Sequence, residues 1–535
     1  MPQYEDTHLN DTTLTLLFKY LEKAHLPTLH SCLLVNRKWY ELAKPLLWNA
    51  PRFTTRRECE QFRSIIEENK ELASLVTALD LTEYKSCVVA ELSESLVYLD
   101  SLISFRTSAD MSVPIDTIIQ DGIANNLANI KEFRYLKVQL GSEHILKLVQ
   151  LLNSAKTIES LGVVIEAEDV DLSSLHLLEN LPNLDKLRDF SLVGECIPEE
   201  VICSFIKRVP NAESITVKSA TKIAFIPSLQ YTLPDSVKYL ELGKIADSPE
   251  LLVEFFKQRE SFKFQKFHLE LDKSCVLSPG QVIDILNTQS DQLQDLLISG
   301  IDLRKEFVTA ELKELPALRK VTFRRLANYD PPPIEFWEVA LKNFGGQLTH
   351  LHIEDGMLPD GLGDLIGACC TQLVEFSAHN TTLDTASVTQ LVKRIGKDLR
   401  ILNLSQTEIN EYGINSVLTF CKALEVLDLS LIYGSPYLDP MVFAGVFLRR
   451  QGGRLRELKV DGLPINNMLF QMLAKTSTES LEVLSFTENQ CISDNEVKDF
   501  LEKCRRLRTV HIAENPDGHV SLTRELVRYV DNLFV

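Results

Sequence analysis

Apolar positions recur along this chain in the spacing Φ-x-x-Φ-x-Φ, where Φ is an apolar residue. The clearest copies are LRILNL from 399, LEVLDL from 424, LRELKV from 455, LEVLSF from 481 and LRTVHI from 507. Upstream copies are LVEFSA from 373, LTHLHI from 348, LRKVTF from 318, LQDLLI from 293 and FQKFHL from 264. The series continues with VKYLEL from 237, AESITV from 212, LRDFSL from 187 and IESLGV from 158. From 158 onward successive starts lie 25 to 31 residues apart. Farther upstream FRYLKV from 133 and VTALDL from 76 bring the recognisable units to 16, and the 57 residues between those two starts leave room for one more. Leu99 to Phe105 matches poorly there.

The Φ-x-Φ alternation predicts a short strand with two side chains turned to a core and one to the open face. The rest of each unit, as in LIGACCTQL, VLTFCKAL and FLEKCRRL, has apolar residues three and four apart and predicts a helix. One strand and one helix per unit make an α/β fold in which neighbouring repeats bury a continuous core.

The N-terminal segment has a different logic. Leu14, Leu17, Phe18 and Leu21 fall at i, i+3, i+4 and i+7, one face of a helix, with Asn10 or Asp11 as its cap. A second helix is predicted to start at Pro27 and a third to run from Asn36 to Lys44, stopping before Pro45. Apolar residues on nearly every turn, including two of the three tryptophans, imply two neighbours rather than one.

Composition narrows the function. The 535 residues carry a net charge of -19, which removes an overall basic field for nucleic acid or anionic membranes. The start MPQYEDTHLND is acidic and polar, unlike a secretory signal. Eleven cysteines without a C-x-x-C pair fit reduced thiols, hence cytoplasm or nucleus. No P-loop, H-E-x-x-H or G-x-S-x-G motif is present, and GLGDLIG at 361–367 has the wrong glycine spacing for a dinucleotide. No catalytic residue, cofactor or metal is therefore expected.

The repeat spacing resembles a leucine-rich repeat of the long class. Cys370, Cys421 and Cys504, each three residues before the first apolar anchor of a unit, resemble the cysteine-containing subtype and are expected to be small buried hydrophobes. The segment from Leu9 to Trp48, with FKYL, LPTLHSCLLVNRKWYELA and PLLW in order, resembles an F-box, although Leu9-Asn10 stands where that family usually has Leu-Pro. Together they resemble the F-box leucine-rich-repeat proteins. That resemblance implies a solenoid, a horseshoe of about 16–18 strand-helix units, behind a three-helix module. The expected boundaries are 9–50 for the F-box, 51–74 for a helical linker, 75–520 for the repeats and 521–535 for a C-terminal cap.

The resemblance further implies the substrate-recognition subunit of a Skp-cullin-F-box ubiquitin ligase. A Skp-type adaptor, and through it a cullin scaffold, would dock on Leu14, Leu17, Phe18, Leu26, Leu29, Leu33, Leu34 and Val35 or their immediate support. Trp39, Leu46 and Trp48 would seat the module on the repeats. An unidentified protein target would contact the open sheet face. Candidates are His268, His352 and His511 on strands, and Tyr329, Trp337, Tyr433 and Tyr437 in two longer units at 324–337 and 430–440. His268 and His352, three strands apart, are too distant to share a metal ion. Two other classes are compatible with the repeats, a scaffold without ligase function and a non-catalytic regulator of a GTPase.

Overall fold

The computed structural model describes residues 11–24, 26–51, 53, 56–82, 92, 94–116, 129–166, 172–195, 197–223, 229, 233–258, 263–289, 291–303, 311–326, 333–432, 439, 441, 454–463, 466–487, 494–504, 506–512 and 532–534. The chain divides into two compact units, 1–223 with 228–237, and 224–227 with 238–535. Both are built on parallel strands, and the first also carries the N-terminal helices.

Three helices open the first unit: α1 (Asp11–Ala24), α2 (Leu26–Cys32) and α3 (Arg37–Asn49). Asn36 starts α3 in extended conformation, its side chain accepting from the Trp39 backbone N–H. The helix does not stop at Pro45 as expected but passes through it to Asn49. Proline deprives the Glu41 carbonyl of its helical donor, and both residues are exposed, so water can serve that carbonyl. Leu46 and Leu47 on the following turn then pack against the module's core. Two linker helices follow, α4 (Arg56–Glu68) and α5 (Lys70–Ala73), where a helical linker is expected.

In the first unit the parallel order is 78–80, 104–106, 132–139, 160–166, 189–194 and 214–223. The strand Ser104–Arg106 is the repeat that the apolar pattern nearly hides. Its motif is Leu102-x-x-Phe105-x-Thr107, all three buried. Threonine fits the third apolar position because its Oγ1 donates to the Arg134 carbonyl at 3.0 Å, which satisfies the hydroxyl inside the core.

The next unit is also displaced from its expected register. Phe133 pairs with Leu161, which makes Ile130 the first anchor and Phe133 the second. The register then shifts between Phe133 and Leu136, and Tyr135 within the bulge has φ 68°. Leu136 is thereby carried into the third apolar position. With starts at 76, 102, 130 and 158, the wide gap resolves into steps of 26, 28 and 28 residues, and the seventeenth unit is found.

In the second unit the parallel order runs 239–245, 266–271, 295–301, 320–326, 350–356, 375–377, 401–403, 426–428, 457–459, 483–485 and 509–511. Asn532–Phe534 adds a further parallel strand beside 509–511, inside the segment expected to be the C-terminal cap. Helices such as 335–344, 362–369, 385–395 and 411–420 form the other half of the repeats. Cys370 and Cys421 end two of them, their N–H groups donating to the Ile366 and Val417 carbonyls. Both thiols are buried, as is Cys504, and burial pushes Cys370 and Cys504 up to about 12, so these are packing residues.

A backbone feature recurs seven residues after the first anchor in eight of these units. Lys244, Gly300, Arg325, Asp355, Asn380, Gln406, Leu431 and Gly462 all have positive φ there. The kink turns the chain out of the strand while the ladder continues: the N–H groups of Asn380, Gln406, Leu431 and Gly462 each donate to a carbonyl of the next unit. Glycine, asparagine and aspartate enter this conformation at least cost. The other residues are held in it by the ladder.

Candidate functional site: apolar ridges of the N-terminal module and the open sheet faces

The three N-terminal helices bury a small core of Leu14, Phe18, Leu29, Cys32 and Ala43, with Leu21, Leu33, Trp39, Leu42, Leu46 and Leu47 packed around it. Phe18 and Trp39 meet edge to face, with ring centroids 5.2 Å apart. Leu14, Phe18 and Leu29, expected to supply the adaptor surface or its immediate support, lie in this core. Trp39 and Leu46, expected to seat the module on the repeats, pack within it. For Leu26 only the backbone placement at the start of α2 is described.

Seating the module falls to other contacts. Trp48 stacks on Phe62 of α4 at 5.9 Å, and Phe62 packs on Phe53 at 5.0 Å. Lys44 on α3 pairs with Glu71 on α5 at 2.6 Å. The Thr77 N–H donates to the Asn49 carbonyl at 2.9 Å, which ties the end of α3 to the first strand. Of the three residues expected to pack the module onto the repeats, Trp48 has its ring contact with the linker helix α4.

A different set of apolar side chains faces water. Leu34 is 81% exposed and Val35 56%, on the turn between α2 and α3. On α1, Leu16 is 65%, Tyr20 68% and Leu17 40% exposed. Leu16 and Tyr20 are four apart and share a face. Leu17, Leu34 and Val35 were legible from the motif, whereas Leu16 and Tyr20 fall outside the i, i+3, i+4, i+7 face that marks a helix's buried side. An apolar residue off that face is the signal that finds them. Tyr40 on α3 is also 40% exposed, which makes six large apolar side chains in water on a module of three short helices, more than the scattered exposure usual for a surface.

Residues 7–87 match the family model described as the COS11 F-box domain. This segment is an F-box domain. No curated protein matches the chain. Among solved structures, a chain of the Rad7 and Elc1 complex in yeast is similar with a TM-score of 0.38 and 11% identity, over 91% of this chain and 95% of that one. The matched F-box segment extends past α3 through α4, α5 and the first strand, the elements held together by the Trp48–Phe62 and Lys44–Glu71 contacts.

Beyond the F-box, the open faces of both sheets carry ladders of charge. In the first unit Arg106 lies 3.7 Å from Asp80 and 2.8 Å from Glu132, and Arg134 bridges Glu132 to Asp189. In the second unit Arg324 spans Glu270 at 3.8 Å and Glu354 at 2.7 Å. His352 bonds Glu375 at 2.7 Å, and His350 approaches the same carboxylate at 3.4 Å. The His352 hydrogen bond holds the Glu375 carboxyl below its ordinary range.

The expected target contacts fare unevenly on these faces. His268 is only 8% exposed and is held between Asp295 at 3.1 Å and Glu241 at 3.6 Å, so it serves the ladder rather than a partner. His352 is half-buried and engaged by Glu375; His511 is half-buried on its strand. Trp337 is a correction: it lies fully buried in helix 335–344, packed edge-on against Phe323 and Phe336. The helix begins at Glu335, so the residue expected in a loop falls on the inward face of the repeat. Tyr329, Tyr433 and Tyr437 lie outside the described residues. Among the described residues no cluster of His, Cys, Asp or Glu is placed to hold a metal ion, and no helix is long and apolar enough to cross a membrane.

Proposed function

We propose that the chain is the substrate-recognition subunit of a Skp-cullin-F-box ubiquitin ligase. The F-box domain supports an adaptor-binding role, and the observation that carries it to residues is the exposure of Leu16, Leu17, Tyr20, Leu34 and Val35 over a fully formed core. These side chains meet a Skp-type adaptor, which joins the chain to a cullin scaffold. Burying Leu34 alone on docking contributes about 1.5–3 kcal/mol, before the ordering costs of association.

A protein target binds on the open sheet faces, where aligned charges give specificity. The chain itself performs no covalent chemistry; ubiquitin transfer is the work of other subunits in the cytoplasm or nucleus. The test is capture of a Skp-type adaptor by the full chain, with Leu34→Asp and Val35→Asp as variants. Loss of capture with an unchanged thermal midpoint is expected. No capture by the parent chain, or equal capture by the variants, would leave a repeat scaffold as the better description.

A further inference from the structure

The second unit carries one reversal of charge that the adaptor reading does not use. Where strands 401–403, 426–428, 457–459, 483–485 and 509–511 begin, the residue just inside each first anchor is Arg400, Glu425, Arg456, Glu482 and Arg508 in turn. Their backbones are joined in register: each of the last four donates its N–H to the carbonyl of the one before, at 2.7 to 2.8 Å. The side chains therefore stand in a row of alternating sign. Arg456 grips Glu482 with two bonds, at 3.0 and 3.2 Å, while Arg400 and Arg456 lie 3.4 and 3.9 Å from Glu425.

A second row lies two residues earlier, and there Arg454 and Arg506 flank Ser480. They line, with Arg400, Arg456 and the two glutamates, a cleft of about 480 Å³. Glu425 and Glu482 are occupied by Arg400 and Arg456. Among the described residues Arg454 and Arg506 make no close ion pair, while the charge of Arg506 acts on Glu482 at longer range. Their backbones belong to strands two places apart, roughly 10 Å. A cleft on the sheet of the first unit is balanced instead: Lys131 and Arg188 line it together with Glu132 and Glu159.

We propose that this cleft binds an acidic segment of a protein partner in extended form, its carboxylates meeting Arg454 and Arg506. Planar guanidiniums donate two hydrogen bonds at a time to a carboxylate, and Arg456 is held by its two bonds to Glu482. Carboxylates three residues apart on an extended chain lie roughly 9–10 Å from one another, which suits the strand spacing between Arg454 and Arg506. A long polyanion such as nucleic acid suits the site less, because the chain's net charge of -19 repels it outside the cleft.

The experiment is fluorescence polarisation of the full chain with a labelled short peptide bearing Glu at every third position and Ser between. Saturable, salt-sensitive binding is expected, weakened roughly tenfold or more in the Arg454→Glu/Arg506→Glu double variant. Arg188→Glu, at the balanced place in the first unit, should leave it unchanged. Circular dichroism and the thermal midpoint establish that the variants are folded. Absence of binding, equal binding by the double variant, binding confined to a phosphoserine version, or tighter binding of a single-stranded oligonucleotide of similar length would overturn the assignment. Adaptor capture by the same variants should be intact, so this result and the ligase reading stand or fall separately.

Discussion

Gly363 lies directly under the backbone of Ser387: a Cβ on the glycine would stand 2.2 Å from the Ser387 carbonyl oxygen. The contact is where helix 362–369 meets helix 385–395. It explains the glycine-rich run GLGDLIG without any ligand. Gly361 begins the helix at φ 78°, and Gly363 lets two helices approach backbone to backbone.

Gly363→Ala should therefore force the helices apart and cost about 1–3 kcal/mol, measured as a lowered urea midpoint. Gly280→Ala, at a helical glycine with nothing within 4 Å, is the control and should be neutral or stabilising. Equal effects of the two would show that helix propensity, not the close approach, governs Gly363.

Leu431, at φ 55°, occupies the recurrent kink with a side chain that resists it, and is 41% exposed. Leu431→Gly should raise stability by about 0.5–1 kcal/mol, the relieved strain being partly offset by the freedom glycine has in the unfolded chain. Gly462→Leu, at the same place in the next unit, should do the reverse. Thermal midpoints check both, and a loss of stability in Leu431→Gly would show that its side chain contributes more than its backbone costs.

His268 couples the open face to pH. Burial opposes its charged form most strongly, but the hydrogen bonds to Asp295 and Glu241 outweigh burial, and the histidine titrates above its ordinary 6.5 despite nearby Lys266. A raised folded pKa means stability that is full below 6.5 and lost as pH rises through the raised value. Burial is the largest single effect on Asp295 and opposes its charge, but the hydrogen bond and charge of His268 with the charges of Lys320 and Lys266 together hold it below its ordinary 3.8, in a separate acid window. His268→Asn should therefore cost more at about pH 6 than at about pH 8, read from urea midpoints. A gap independent of pH would mean that the imidazole acts through packing alone.

Within the F-box, support and surface should separate cleanly. Phe18→Ala removes a fully buried ring and should cost about 3–5 kcal/mol. Leu34→Ala should stay within about 0.5 kcal/mol and yet weaken adaptor capture. Hydrogen exchange of the α1–α3 amides reads the first effect, and adaptor titration reads the second.

The amino-acid pattern by itself determined the repeat, because a strand needs period-two alternation and stacked units need it again at a regular interval. It also determined the three-helix module and the buried cysteines, which follow from local periodicity and from anchor spacing. Tertiary structure decided what depends on a neighbour. Thr107 stands in for an apolar anchor because a carbonyl on the adjacent strand satisfies its hydroxyl. The bulge at Tyr135 moves a motif by three residues because the next strand accepts that register. Apolarity made Leu14, Phe18 and Leu34 look alike, and only packing sent the first two inside and left the third in water. Trp337 and His268 went the other way, from expected contacts to interior, since burial is a property of what lies across from a residue and not of the residue alone.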